Sequence, residues 1–200
     1  AAGEEVGLDE EINLFRALAN RDIWLLALAF FSFNFVFMPL ATFYPTFLSE
    51  VRGYSLSQAS LIASLSIAVV LISAPVAGWV SDRIGSRRLV FTAPFLVIAA
   101  MMLFPFRVDG WQIYLFLSLL GLVAGAVPTA TFAAAPEVMG TPRLAGLGLA
   151  VVMLGQNLGM FVAPFLFGEM VEAIGWTPAA TWLVPVALLG GLAGWLVRVR

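Results

Sequence analysis

The sequence predicts an all-α membrane protein: six transmembrane helices arranged as a 3+3 inverted repeat. Three observations predict it. The 200-residue chain is 62% hydrophobic and only 11% charged, whereas a soluble domain averages about 45–50% apolar and about 25% charged residues. The apolar residues gather into six runs, each long enough for a hydrocarbon core that takes about 20 residues to cross. The first three runs also share landmarks, in order, with the last three.

Residues 1–22 form an acidic lead-in, AAGEEVGLDEEINLFRALANRD. It lacks the basic n-region of a signal peptide, and Ala1 stands where a start methionine would be. It reads as a cytoplasmic linker cut from something longer. Leu8, Ile12, Phe15 and Ala19 share one helical face, which fits a short helix on the membrane surface; a disordered acidic linker fits equally well.

The transmembrane bundle occupies residues 23–200, with spans at about 23–48, 56–80 and 88–106, then 111–135, 143–171 and 178–197. The connections VRGYSLS, SDRIGSRR, RVDGW, PEVMGTPR and EAIGWTP carry the charges and the Gly/Pro turn signals that the spans lack. With the N-terminus in the cytoplasm, Arg16, Arg21, Arg83, Arg87, Arg88, Arg143, Arg198 and Arg200 lie inside, and only Arg52 and Arg107 lie outside. The positive-inside rule therefore places both termini in the cytoplasm. The membrane expected is the plasma (inner) membrane.

The repeat pairs residues 23–106 with residues 111–197. PLATF at 39–43 answers PTATF at 128–132; Ala74-Pro75 answers Ala163-Pro164; Pro94 answers Pro185. GWVSDRIG at 78–85 answers GEMVEAIG at 168–175, with offsets of 89, 90 and 91 residues along the chain. Three spans is an odd number, so the second copy enters the membrane from the opposite side. Such inverted repeats recur among secondary transporters. The copy facing the cytoplasm continues SRR; the outward copy continues WTP.

Composition excludes several function classes. There is no cysteine and no histidine, which removes disulfides, thiolate chemistry and the usual metal ligand and proton shuttle. No carboxylate pair sits within a span, so an intramembrane enzyme is not expected. No phosphate-binding glycine loop follows a strand, no cofactor is indicated, and no nucleic-acid partner is expected. GLVAG (121–125), GQNLG (155–159) and GGLAG (190–194) are small-xxx-small patterns suited to close helix packing.

The eleven residues GWVSDRIGSRR at 78–88 resemble the cytoplasmic loop signature of the major facilitator superfamily, with Gly78, Asp82, Arg83, Gly85, Arg87 and Arg88 filling its positions. The resemblance implies half of a twelve-helix transporter fold that works by alternating access. The acidic lead-in running into Ile23 looks like the central linker before a seventh span, which makes this the C-terminal half. The N-terminal half and a natural half-transporter that dimerises are alternatives. The expected partners are a small solute, the bilayer and the missing half or a second copy. A six-helix scaffold or binding protein without transport is the competing class.

The resemblance also implies that the first span of each three-helix repeat lines a central cavity. Asn34, Thr42, Tyr44 and Thr129, on spans 1 and 4, are then cavity candidates; Gln156 and Asn157 join them as bulky amides deep in span 5, costly unless paired or facing water. Asn34, Met38 and Thr42, at i, i+4 and i+8, share a face. The alternative for each is a hydrogen bond between helices or back to the i−4 carbonyl. No charged residue sits near the middle of a span, and Glu169 reads as interfacial. In the loop, Asp82 and Arg83 are expected to form half of a gating latch. Gly85 is expected to take a tight turn with positive φ. Glu137 and Arg143 flank the other cytoplasmic loop as a candidate pair.

Overall fold

The computed structural model describes residues 15, 17–84 and 87–198. Every regular element among them is helical: α1 (Arg21–Glu50), α2 (Leu56–Ile84), α3 (Arg87–Met101), α4 (Trp111–Ala124), α5 (Ala126–Met139), α6 (Ala145–Ile174), α7 (Trp176–Thr181) and α8 (Leu183–Leu196). A 3₁₀ turn, Pro142–Leu144, leads into α6. Helices α4 and α5 together make one membrane span, as do α7 and α8, and among the described residues five spans are long and apolar enough to cross a bilayer.

The internal breaks have proline causes. Pro128 has no N–H, and its ring crowds the Ala124 carbonyl four residues earlier. The helix breaks there, between α4 and α5, with the Gly125 N–H reaching Gly121 O at a long 3.3 Å. Pro185 stands in the same relation to Thr181 and separates α7 from α8. The third span departs most from the sequence expectation of 88–106. Helix α3 has 15 residues, about 23 Å at 1.5 Å per residue, short of a hydrocarbon core of about 30 Å. The chain then tightens into i→i+3 turns, Leu103 N–H to Ala100 O and Phe104 N–H to Met101 O. Pro105 has no N–H and pushes Phe104 away from helical geometry, so the helix cannot run on.

Helix α1 is the centre of the bundle and packs most extensively against α6 and α8, while α2 packs chiefly on α4 and α3 on α8. Lipid tails are as apolar as leucine, so helices in a membrane associate through close packing rather than exclusion from water. Glycines allow it. A methyl group at Gly155 would strike the Ala27 carbonyl, and one at Gly159 would lie 3.1 Å from Asn34 Cβ and 3.2 Å from Phe35 N. On the other pair, Gly121 abuts the Ser66 carbonyl and Val69, and Gly125 abuts Ser73 and Ala74. Gly190 closes α8 onto Phe95 and Ser32.

Both ends of the bundle are stitched. At the end where α1 starts, Asn20 Oδ1 caps the helix by accepting from Asp22 N–H, while its Nδ2 donates to Val138 O at 2.9 Å, at the end of α5. Arg198 N–H donates to Asp22 Oδ1. At the opposite end, Tyr44, Phe47, Phe106, Phe116, Phe167 and Trp176 form one network of ring contacts. Tyr44 Oη donates to Pro105 O at 2.9 Å. Arg52 lies against Asp109 (3.3 Å), donates to Val108 O and covers the Phe47 ring. These contacts hold the turn after α3 against the end of α1. Of the lead-in surface-helix face, Leu8 and Ile12 lie outside the described residues; Phe15 is exposed and Ala19 sits in a turn.

Candidate solute-facing surface and end-loop motif

The six candidate cavity residues separate into buried and accessible groups. Asn34, on α1, is 3% exposed, and its Nδ2 donates to Phe30 O at 2.8 Å. Its amide is turned back on its own helix beside Gly159 of α6. Tyr44 is 1% exposed, with its hydroxyl committed to Pro105 O. Thr129, on α5, is half-buried; its hydroxyl faces Gly125 O at 2.9 Å and, across the helix interface, Ala74 O at 3.3 Å. Tyr44 and Thr129 thus tie separate segments together, while the Asn34 amide is spent within α1.

Thr42, Gln156 and Asn157 keep accessible surface. Thr42 lies two turns beyond Asn34 on the same face of α1, and the face opens along the way: Asn34 buried, Met38 half-buried, Thr42 exposed. On α6, Gly155 points at α1. Gln156 is rotated about 100° from it, and Asn157 about 200°, to the far side. Among the described residues, Gln156 Nε2 has the Met160 thioether as its one hydrogen-bond partner, at 3.7 Å, a weak acceptor. Three other buried hydroxyls are also satisfied at home: Ser32 by Leu28 O, Thr131 by Val127 O and Ser66 by Ala63 O; Thr92 Oγ1, on α3, is buried without a partner among the described residues. Ser73 reaches across to Gly121 O at 2.9 Å. A groove of about 360 Å³ between α2 and α4 is lined by Leu61, Ile62, Leu65, Ala68, Ser64 and Tyr114. Its two hydroxyl residues stand on different spans, so no local sequence signal pairs them. The accessible polar groups among these candidates are thus neutral amides and hydroxyls in an apolar setting. They can orient a solute by hydrogen bonds but cannot transfer a proton to it near neutral pH.

The described part of the motif, 78–84 and 87–88, sits at the end of the bundle where α1 starts. Gly78 lies on α2, and a methyl group there would meet Thr129 Cγ2 at 3.3 Å, so the first motif glycine sets the approach of α5 to α2. Arg83 is exposed, and its guanidinium stacks on Trp79 one turn earlier, 4.0 Å from the ring centroid. Trp79 was not among the expected residues, although an aromatic at i−4 from an arginine is a readable signal. Gly85 lies outside the described residues, as do the side chains of Asp82, Arg87 and Arg88. Gly175, the residue that matches Gly85 in sequence, has φ +86° and ends α6 with its N–H on Val171 O. Glu137, in the last turn of α5, and Arg143, in the 3₁₀ turn, are both exposed on either side of Gly140, whose φ of +72° makes the turn. Glu169 is exposed on α6.

A family model described as Major Facilitator Superfamily matches residues 25–200. Among curated proteins, the 4-hydroxybenzoate transporter PcaK of Acinetobacter baylyi is 28% identical over 181 residues, covering 88% of this chain and 39% of that protein. The probable sulfoacetate transporter SauU of Cupriavidus necator is 25% identical over 183 residues, 87% of this chain and 41% of that protein. Monocarboxylate transporter 13 of Rattus norvegicus is 28% identical over 179 residues, 88% of this chain and 41% of that protein. The chain therefore spans about two fifths of the length of these relatives.

Proposed function

The chain belongs to the Major Facilitator Superfamily, and from that premise we propose that it is the C-terminal six-helix half of a secondary transporter for a small organic solute. The observation that carries the reading is the family match across residues 25–200, which takes in every span. The half works by alternating access, rocking against a second bundle. The arginine distribution favours both termini in the cytoplasm, and the proposed site of action is the plasma (inner) membrane.

The packing supports an inverted 3+3 repeat. Under exchange of the two halves, span 1 on span 5 becomes span 4 on span 2, and both pairs are tightened by glycines. The crossing points also correspond. Adding 90 to Val69, which meets Gly121, reaches Gly159; subtracting 89 from Gly121 reaches Ser32, within the Phe31–Phe35 stretch that Gly159 meets. Repeated kinked helices about a shared axis suit a site near mid-membrane.

The solute-facing residues proposed on this half are Thr42 on α1 and Gln156 and Asn157 on α6, with Tyr44 and Thr129 holding the segments around them and Asn34 satisfied within α1. A neutral, largely apolar surface fits an uncharged or singly charged organic molecule. The relatives named for 4-hydroxybenzoate, sulfoacetate and monocarboxylates point to organic acids, whose charge would be met by the second half. Asp82 and Arg83 act as a latch at the cytoplasmic face, Arg83 being positioned by Trp79, with partners on the second half. Glu137 and Arg143 belong to the same face.

The test is flux into liposomes by the purified full-length protein, using 4-hydroxybenzoate and a set of other organic acids down their gradients. Uptake is expected, with Gln156→Ala raising KM and Asp82→Asn lowering kcat by roughly ten-fold, a barrier change of about 1.4 kcal/mol. Folded protein that moves none of the acids would favour a six-helix scaffold or binding protein. A functional dimer of this chain alone would replace the second half by a second copy. Spans 2 and 5 are the least buried and would supply the contact in either case.

A further inference from the structure

Two arginines stand at the end of the bundle opposite the start of α1, and they differ in how they are used. Arg52 is held by Asp109, the Val108 carbonyl and the Phe47 ring. Arg107 makes no side-chain hydrogen bond, ion pair or ring contact among the described residues. It lines an open groove of about 420 Å³ with Thr177, Pro178, Thr181, Trp182 and Pro185. Two proline effects account for the groove. Pro105 ends the third span early and turns Arg107 outward, and Pro185 breaks the last span at Trp182.

The lining combines a charge with an apolar wall. The guanidinium offers planar paired donors suited to a phosphoryl oxyanion. Thr177 has a hydroxyl without a partner among the described residues, while Thr181 Oγ1 donates to Thr177 O at 3.0 Å. Among the described residues no carboxylate lines the groove, and the nearest to Arg107 in sequence, Asp109, is engaged by Arg52. Pro178, Pro185 and the indole of Trp182, which is 62% exposed, form the apolar side. The groove lies in the first turns of the membrane span that begins at Trp176. That is the depth of lipid headgroups, where exposed tryptophans concentrate.

We propose that this groove binds the headgroup of an anionic phospholipid, with Arg107 and Thr177 on the phosphodiester and Trp182 with the two prolines against the glycerol and upper acyl chain. A free phosphate would use the arginine but leave the apolar wall unused. A bound lipid would brace the α7–α8 break against the turn after the third span, on a part of the bundle remote from Thr42, Gln156 and Asn157 in sequence.

The experiment uses the full-length protein in nanodiscs of phosphatidylcholine and phosphatidylglycerol in equal parts, with retained lipids counted by native mass spectrometry. Phosphatidylglycerol is expected to be retained preferentially. Arg107→Gln is expected to reduce that preference about five-fold, the effect of about one interfacial charge; Arg107→Lys should retain most of it, and Arg143→Gln at the other end should leave it unchanged. Equal retention by wild type and Arg107→Gln would overturn the proposal, and so would displacement of the lipid by millimolar glycerol phosphate. If Arg107→Gln does not fold, photoreactive phosphatidylglycerol on the wild type decides. Crosslinks are expected within residues 177–185, and crosslinks confined elsewhere sink the assignment.

Discussion

At the residue scale, polar side chains in this bundle serve chiefly to satisfy backbone carbonyls. Asn34 and Tyr44 show why residue type alone did not reveal their roles. In a membrane an amide or phenol must find a partner, and either a solute or a carbonyl can provide one. Asn34 finds Phe30 O within its own helix, and Tyr44 finds Pro105 O, 61 residues away in sequence. The second bond has more structural consequence. The preceding helix has ended, the Pro105 carbonyl sits in a turn, and Tyr44 fastens that turn to α1 among stacked rings. Tyr44→Phe keeps the ring contacts and removes only the donor. It is expected to lower stability by about 1–2 kcal/mol, the cost of an unmet buried acceptor, with solute KM unchanged. Thermal unfolding in detergent and liposome flux measure the two quantities separately. A raised KM with unaltered stability would return Tyr44 to the solute site.

At the element scale, glycine position decides whether a substitution matters. Gly146 and Gly159 both lie on α6. A methyl group at Gly146 meets nothing within 4 Å, whereas one at Gly159 meets the Phe31 carbonyl, Asn34 and Phe35 of α1. Those neighbours are largely backbone and cannot rotate away, so a larger side chain must push α6 off α1. Gly159→Leu is expected to cost about 2 kcal/mol or more, seen as a lower melting temperature or loss of folded protein, and Gly146→Ala to stay within about 0.5 kcal/mol of neutral. Similar effects from both would mean the α1–α6 contact is not close packed. The locations of the helices were legible in the sequence because charges and Gly/Pro turns interrupt the apolar runs. The short third span and the breaks at Gly125 and Trp182 were less so, because hydropathy reads composition and not the hydrogen bonds that Pro105, Pro128 and Pro185 remove. The faces were hardly legible at all. Lipid-facing and partner-facing sides are both apolar, so α1 and α6 lack the polar stripe that marks orientation in a soluble helix. The small-residue spacing at 121–125, 155–159 and 190–194 marked which sides meet.

At the scale of the whole molecule, the two ends differ in charge, and orientation in the membrane follows from that difference. One end carries the motif arginines, Arg143 and the stitching of Asn20 to Val138; the other carries only Arg52 and Arg107 with the aromatic network. Arginines near span ends are retained on the cytoplasmic side during insertion. The end with the motif should therefore face the cytoplasm, which is also where a latch between bundles could respond to solute release. The absence of cysteine from the chain makes this directly measurable, provided any cysteines in the rest of the full-length protein are replaced. Ser57 lies in the first turns of α2, and Thr141 follows the Gly140 turn; both are exposed. In intact cells a membrane-impermeant maleimide is expected to label Ser57→Cys and to leave Thr141→Cys unlabelled until the membrane is opened. The reverse pattern would invert the bundle. The motif would then face outward, and the Arg107 groove would meet the cytoplasmic leaflet, where anionic lipids are enriched in animal cells. The fold would survive that reversal unchanged, since its packing is the same from either side; the latch assignment would not.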